Sequence, residues 1–433
     1  MERLKNIAGL VLAEARRLGA DFAQCTVSEE VKHEFNVDGG RFSLMRTLFD
    51  RHVGITVLKA QRKGSVAVNR FDEEAVRAAV ADCMAVCESS APDEAWQFAE
   101  GPAHASFRDG APECDTEQLF ARTEELLRDI GSRHPKILVE QMITDHTAEK
   151  TVFMNSQDVC YETCGGSYHF SVMYSAHEGE KGSSFFFGDV TLDRLDRPVI
   201  DCAFMERDLQ SVEKQIDTMP LEGKFVGTAV LAPDALSGTV LSTILGSFVS
   251  DGSLMDGSSI WKDRLGSRVA SEALTLSMTP RAEYVVGGAH YTSEGYPAED
   301  FDVIRDGVLE NFALSQYGAN KTGGRRAGND AWNLTVRPGA ESLEKIISGI
   351  EQGILVMRFS GGQPAPNGEF SGVAKNSFRI EHGQIREALA ETMISGCVPD
   401  MLEHIRGISS DVLYDGSNAL PYIAFDGGTI SGK

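Results

Sequence analysis

The sequence predicts an α+β (mixed α/β) protein in two parts. An N-terminal region, 1–218, sets helices on long, bent antiparallel strands, and a C-terminal domain, 219–433, is β-rich and barrel-like. Three observations carry this. Helical and strand periodicities alternate through the first half. The strand runs there are long and joined by short turns. Past the middle, glycine density rises, and Asp306-Gly307 and His382-Gly383 stand between alternating apolar residues, the pattern of tight hairpins. A chain of 433 residues is also long for one hydrophobic core, so more than one domain is the prior.

Leu4, Ile7, Leu10, Val11, Ala15 and Leu18 recur at helical spacing and define a first helix from Glu2 to Leu18. Lys32 to Val37 alternates, and Asp38-Gly39-Gly40 closes a hairpin. Asp72 can cap a second helix with Ala75, Val76, Ala79, Val80 and Met84 on its inner face. The stretch from Glu88 to Glu113 is rich in Pro, Ala, Ser and acids and reads as a surface excursion. A third helix starts at Asp115-Thr116 and ends near Ser132. Long strands follow Pro135, and a fourth helix spans Met205 to Ile216. Met219 to Lys224 marks the boundary. Beyond it, Phe225 to Leu231 is an apolar strand, and Ala232-Pro233-Asp234 opens a helix that runs through Val249. Ser342 to Gln352 is helical, and the tail from Tyr414 is a last pair of strands.

Asp plus Glu number 64 against 41 Lys plus Arg, a net charge of −23. A polyanion repels phosphates, so direct nucleic-acid binding is not expected. The one dense basic cluster, Lys321 to Arg326, has no aromatic stacking platform beside it and reads as a solvated loop. No apolar run reaches the ~20 residues of a membrane span. The charged, amphipathic start is unlike an export signal, so a cytoplasmic protein is expected. Its eight cysteines are then reduced thiols. Cys83 and Cys87, and Cys160 and Cys164, are spaced one residue wider than zinc-binding pairs and read as core packing.

Familiar catalytic motifs fail on inspection. His177-Glu178 lacks the second histidine of H-E-x-x-H: position 181 is Lys181 and position 182 is Gly182, in strand-and-turn text. No serine-nucleophile elbow or phosphate-binding loop occurs. The glycine-rich stretch with Gly361, Gly362, Gln363 and Gly372 precedes a strand rather than a helix, so it reads as a shaped loop at a cleft or interface.

Several segments occur in a specific order. A strand ends in VLAP (Val230 to Pro233) and leads into a helix, and a glycine-rich stretch precedes Ser293-Glu294-Gly295. Then come IRDGVLENFALSQYGANK, AWNLTVRPG, GILVMRFSGGQPAPNGEFSGVAKNSFRIEHGQI and EALAETMISG. Together these resemble the TldD/PmbA family, the "modulator of DNA gyrase" peptidases, and look closer to its PmbA (TldE) branch. The resemblance covers Phe225 to Lys433 and fades toward the N-terminus. It implies that catalytic members carry H-E-x-x-x-H on the helix after the strand. Here that helix reads SGTVLSTILGSFVSDG, so the two histidines match Ser242 and Ser247, and the glutamate matches Thr243. Neutral hydroxyls are poor zinc ligands, and Thr cannot serve as a carboxylate base. The family's C-terminal cysteine is missing from Leu413-Tyr414-Asp415-Gly416.

The resemblance therefore implies a chain with no catalytic residue, metal ligand or cofactor of its own, zinc being expected only in a TldD-type partner. The expected partners are a TldD-type subunit in a heterodimer, itself in a homodimer, or both, together with unfolded peptides. The alternatives are a stand-alone peptide-binding homodimer and an independent hydrolase with an unrecognised site.

Overall fold

The computed structural model describes residues 1–362, 364–390 and 392–432. The N-terminal half is built on one sheet. In chain order it contains α1 (Glu2–Arg17), β1 (Phe22–Asp38), β2 (Arg41–Lys59), β3 (Arg62–Val68), α2 (Glu73–Ser89), β4 (Ala103–Gly110) and α3 (Thr116–Arg133). Then come β5 (Ile137–Asn155), β6 (Val159–Glu178), β7 (Lys181–Gly182), β8 (Phe186–Leu192) and α4 (Met205–Glu213). The strand order is β3-β2-β1-β5-β6-β4, with β7 and β8 also on β6. The β1–β2 turn falls on Gly39 and Gly40, whose φ values of 55° and 74° a side chain would resist. Asp72 and Asp115 cap α2 and α3 by accepting from Ala75 N and Gln118 N.

β1, β2, β5 and β6 each run 17 to 20 residues. Leu4, Ile7, Val11 and Ala15 of α1 pack with Val76, Val80 and Cys83 of α2 on the buried side chains of β1 and β2. β3, however, covers only Val53 to Lys59 of β2. Residues 41–52 pair on one side alone, with β1, and every one of them is exposed.

The second half holds β9 (Thr218–Pro220), β10 (Lys224–Leu231), α5 (Pro233–Leu236), α6 (Asp251–Met255), β11 (Leu276–Met278), β12 (Phe301–Arg305), β13 (Val308–Leu309) and α7 (Gln316–Thr322). It continues with β14 (Leu334–Val336), α8 (Leu343–Ser348), β15 (Gln352–Val356), β16 (Arg358–Gly361), β17 (Glu369–Lys375), β18 (Ser377–Glu381), β19 (Gln384–Ala390), β20 (Thr392–Cys397), α9 (Val398–Glu403), β21 (Ile405–Tyr414) and β22 (Ala419–Ser431). The Asp306-Gly307 and His382-Gly383 hairpins form as expected, all four turn residues having positive φ.

The barrel does not form among the described residues. The sheet is an open path from β13 to β9 with a branch. β22 is long enough to take β10 and β14 along one edge and β20 and β21 along the other. That branching uses up pairing edges that closure would need.

Five smaller expectations also change. The Glu88–Glu113 excursion contains β4, an edge strand parallel to β6 on which Ala103, Ala105 and Phe107 alternate with exposed polar residues. α4 ends at Glu213, freeing the Gln215 amide to donate to Ser377 O at 3.1 Å. α8 stops at Ser348, before Gly349. The tail is one strand, β22, folded back on β21. Lys321 and Thr322 close α7 ahead of Gly323 at φ 70°, so only the rest of the basic cluster is loop.

One apolar core joins the two halves. Phe170, Leu209 and Val212 pack with Ile347, Phe378 and Tyr422. No helix among the described residues is long and apolar enough to cross a membrane.

Candidate functional site

The site that the sequence singles out lies on the helical segment after β10. Ala232 donates to Val356 O at 2.9 Å, and Pro233 takes the first helical position, where a missing N–H costs nothing. The segment stays helical to Phe248, but most of it is not α. Residues 237–241 and 244–248 are π-wound, with backbone bonds such as Ser242 N to Ser237 O and Val249 N to Ile244 O, each spanning five residues. This wider winding brings residues five apart to the same side. Ser237, Ser242 and Ser247 recur at that interval. An H-E-x-x-x-H spacing, with its histidines five apart, would converge only on such a winding. The winding is present, and the histidines are not.

Leu236, Val240, Leu241, Ile244, Leu245 and Phe248 are all buried and hold the helix in the second core. Ser242 is half-buried and its hydroxyl donates to Gly238 O at 2.9 Å. Thr243 is buried and donates to Thr239 O at 2.6 Å. Both hydroxyls are therefore turned back on helix carbonyls, as serine and threonine in helices often are. Ser247 is half-buried. Leu413, in the segment matched to the family's cysteine, sits near the end of β21. These donors do not fit a zinc ion. No trio of His, Cys, Asp or Glu among the described residues is close enough to hold one either.

The glycine-rich stretch is a hairpin of β16 and β17. Gly361 and Gly372 pair directly beneath the Phe359 ring, and a Cβ on either would strike that ring. Gln363 lies outside the described residues. Gly362 lines an open trough of about 1110 Å³ with Glu369, Cys397, Asp400, His404 and Asp426. Phe370 and Met401, from the same apolar core as the π-wound helix, also line the trough. Inside it, the His404 ring bonds Asp400 O at 2.7 Å, and the Cys397 thiol reaches Asn367 O at 3.9 Å. Burial pushes the Cys397 thiol up. Cys397 and His404 therefore make no nucleophile–base pair. The trough offers carboxylates and strand backbone. Its residues come from four elements and share no motif, which is why the sequence did not reveal them.

Other candidates resolve simply. His177 and Glu178 end β6 and pair across a tight turn with Gly182 and Lys181 of β7. Cys83 and Cys87 are buried, their thiols on Ile55 O and Arg62 O. Cys160 and Cys164 instead lie on a half-exposed face of β6, because β6 is covered less closely there than α2. The basic cluster does have aromatic neighbours, from elsewhere in the chain. Trp96 stacks on Tyr317 at 3.8 Å, but Lys63 covers Trp96's ring at 3.9 Å, and Lys321 pairs with Asp93. That stack is used internally.

A β-rich second half with a π-wound helix after its first central strand, preceded by a long-stranded sheet, matches known proteins over nearly the whole chain. Residues 226–432 match the family model described as the PmbA/TldA metallopeptidase C-terminal domain. A "Metalloprotease PmbA homolog" of Haemophilus influenzae is 22% identical over 403 residues, covering 89% of this chain and 86% of that one. "Metalloprotease PmbA" of Escherichia coli is 24% identical over 415 residues, covering 91% and 88%. The crystal structure of TldE from Thermococcus kodakarensis superimposes with a TM-score of 0.84 at 20% identity, over 99% of this chain and 100% of that one. The second half of the chain is thus similar to the PmbA/TldA metallopeptidase C-terminal domain, and the chain as a whole has the fold of TldE.

Proposed function

We propose that this chain is a cytoplasmic, PmbA/TldE-like, non-catalytic subunit that pairs with a TldD-type zinc metallopeptidase acting on unfolded peptides. One observation carries the reading. The helix keeps the winding that an i, i+5 ligand pair requires, while its matched positions are Ser242, Thr243 and Ser247, with the first two hydroxyls bound to their own helix. Zinc then belongs to the partner.

The partner surface has a candidate in the free stretch of β2. Its backbone is unpaired along one edge, and Leu44, Met45, Leu48 and Phe49 are exposed, Phe49 by 78%. An edge of this kind invites strand addition or burial against another subunit. The two halves of the reading are tested by mixing this chain with a TldD-type protein and following cleavage of an unfolded peptide. Co-elution and cleavage that depends on both chains is the expected result. Cleavage unchanged when this chain is left out contradicts it.

A further inference from the structure

The free stretch of β2 is bounded at both ends. At one end a bulge at Ser43 breaks the register with β1, where Asn36 faces Leu44 but Val37 faces Phe42. A bulged strand bends, and Phe42 is held past the bend by stacking on Phe120, ring centroids 4.8 Å apart. At the other end β3 begins to pair at Val53. Between them lie the nine residues from Leu44 to His52, a regular strand that pairs among the described residues with β1 alone. Edge strands are commonly blunted by proline, lysine or an internal bulge. This stretch has none of the three.

Its charges are unbalanced within one chain. Asp50 faces Glu30 on β1, and Glu30 faces Glu149 on β5, so three carboxylates stand in one row on the same face of the sheet. Like charges directly opposite repel. The nearby cations are engaged elsewhere, Lys32 with Asp145 and Arg51 with Glu29. Arg46 holds Glu34 through Nε and Nη2, which leaves its Nη1 without a partner among the described residues.

A strand edge turns its N–H and C=O groups outward at every second residue. An antiparallel pairing across a twofold axis therefore sets one residue opposite its own copy. When all nine residues are used, that residue is the middle one, Leu48. Leu48 then packs on Leu48 of the second copy, Leu44 faces His52, Met45 faces Arg51 and Thr47 faces Phe49. Arg46 falls opposite Asp50, and Asp50 opposite Arg46, so each acidic row gains a cation. A centre at Arg46 or Asp50 sets like charges face to face. A centre at Thr47 or Phe49 sets Asp50 against a leucine. The length of the free stretch and its charges thus select the same register.

We propose that two copies of this chain join β2 to β2 about a twofold axis at Leu48, making one continuous sheet of their N-terminal halves. The inference does not rest on a TldD-type partner. Both occupants use one edge, so a second copy and a TldD-type subunit exclude each other there.

Sedimentation equilibrium of the full, isolated chain over a range of concentrations tests this. The wild type should approach twice the mass of one chain as concentration rises. Asp50→Arg and Arg46→Asp each set like charges opposite one another twice per dimer, and each should raise the dissociation constant about tenfold or more. The double variant Arg46→Asp/Asp50→Arg restores opposite charges in this register and should recover most of the loss. Circular dichroism checks that all three variants are folded. A wild type that stays monomeric at every concentration overturns the proposal. So do folded single variants that dimerise as tightly as the wild type, or a folded double variant that dimerises no more tightly than the singles. No TldD-type protein is present in the measurement, so its failure leaves the heterodimer reading standing.

Discussion

Asp208 departs far from the ordinary behaviour of its type. Its carboxyl moves from 3.8 to about 8 because burial penalises its charge. The folded chain therefore holds a proton that the unfolded chain has released. The stability this confers is complete below 3.8 and is lost as pH rises through about 8. Asp208→Asn removes the titration, so its urea midpoint should fall less than wild type between about pH 6 and about pH 9. Equal falls would contradict a carboxyl raised by burial. The thiols behave in parallel. Burial pushes Cys25 up to about 12 and Cys83 up to about 11, so neither should react with a thiol reagent while the chain is folded. At this scale the sequence was legible where identity alone decides. Ser242, Thr243 and Ser247 offer only neutral hydroxyls, which are poor zinc ligands. Asp208 was illegible, because its environment is assembled from β8, α4 and the second half.

At the scale of elements, the sequence located the helix after β10, from Ala232-Pro233-Asp234 through Val249. The π winding was not legible. Leu236, Val240, Leu241, Ile244, Leu245 and Phe248 satisfy a buried face under either winding, so the pattern does not discriminate between them. Phe248 anchors the helix end against Trp261, ring centroids 4.7 Å apart. Phe248→Ala should cost about 3–5 kcal/mol in denaturant unfolding. β2 gives the opposite contrast. Its hairpin turn was plain from Asp38-Gly39-Gly40, but its free edge was not, since β3 is too short to cover it. Phe49→Asp touches nothing buried and should change stability by no more than about 0.5 kcal/mol. If this edge is the partner surface, the same variant should lose co-elution with a TldD-type protein in size-exclusion chromatography. β4 went unseen because its short alternation of Ala103, Ala105 and Phe107 with polar residues is flanked by Pro- and acid-rich text on both sides.

For the molecule as a whole, composition and segment order gave the α+β class and the family. The shape of the second sheet depends on β22 and its four partners, which no local pattern encodes. The halves also share a core: Leu209 and Phe170 pack with Ile347 and Tyr422. Residues 219–433 alone should therefore expose apolar surface and bind a hydrophobic dye that the full chain does not. The proposed function places zinc chemistry in a TldD-type partner and not in this chain. Metal analysis of the purified chain, alone and after assembly with a TldD-type protein, tests it most directly. The chain alone should carry less than stoichiometric zinc and cleave no peptide, and the pair should show both zinc and cleavage. One zinc per chain in the isolated protein, with peptide cleavage that a chelator abolishes, would contradict it.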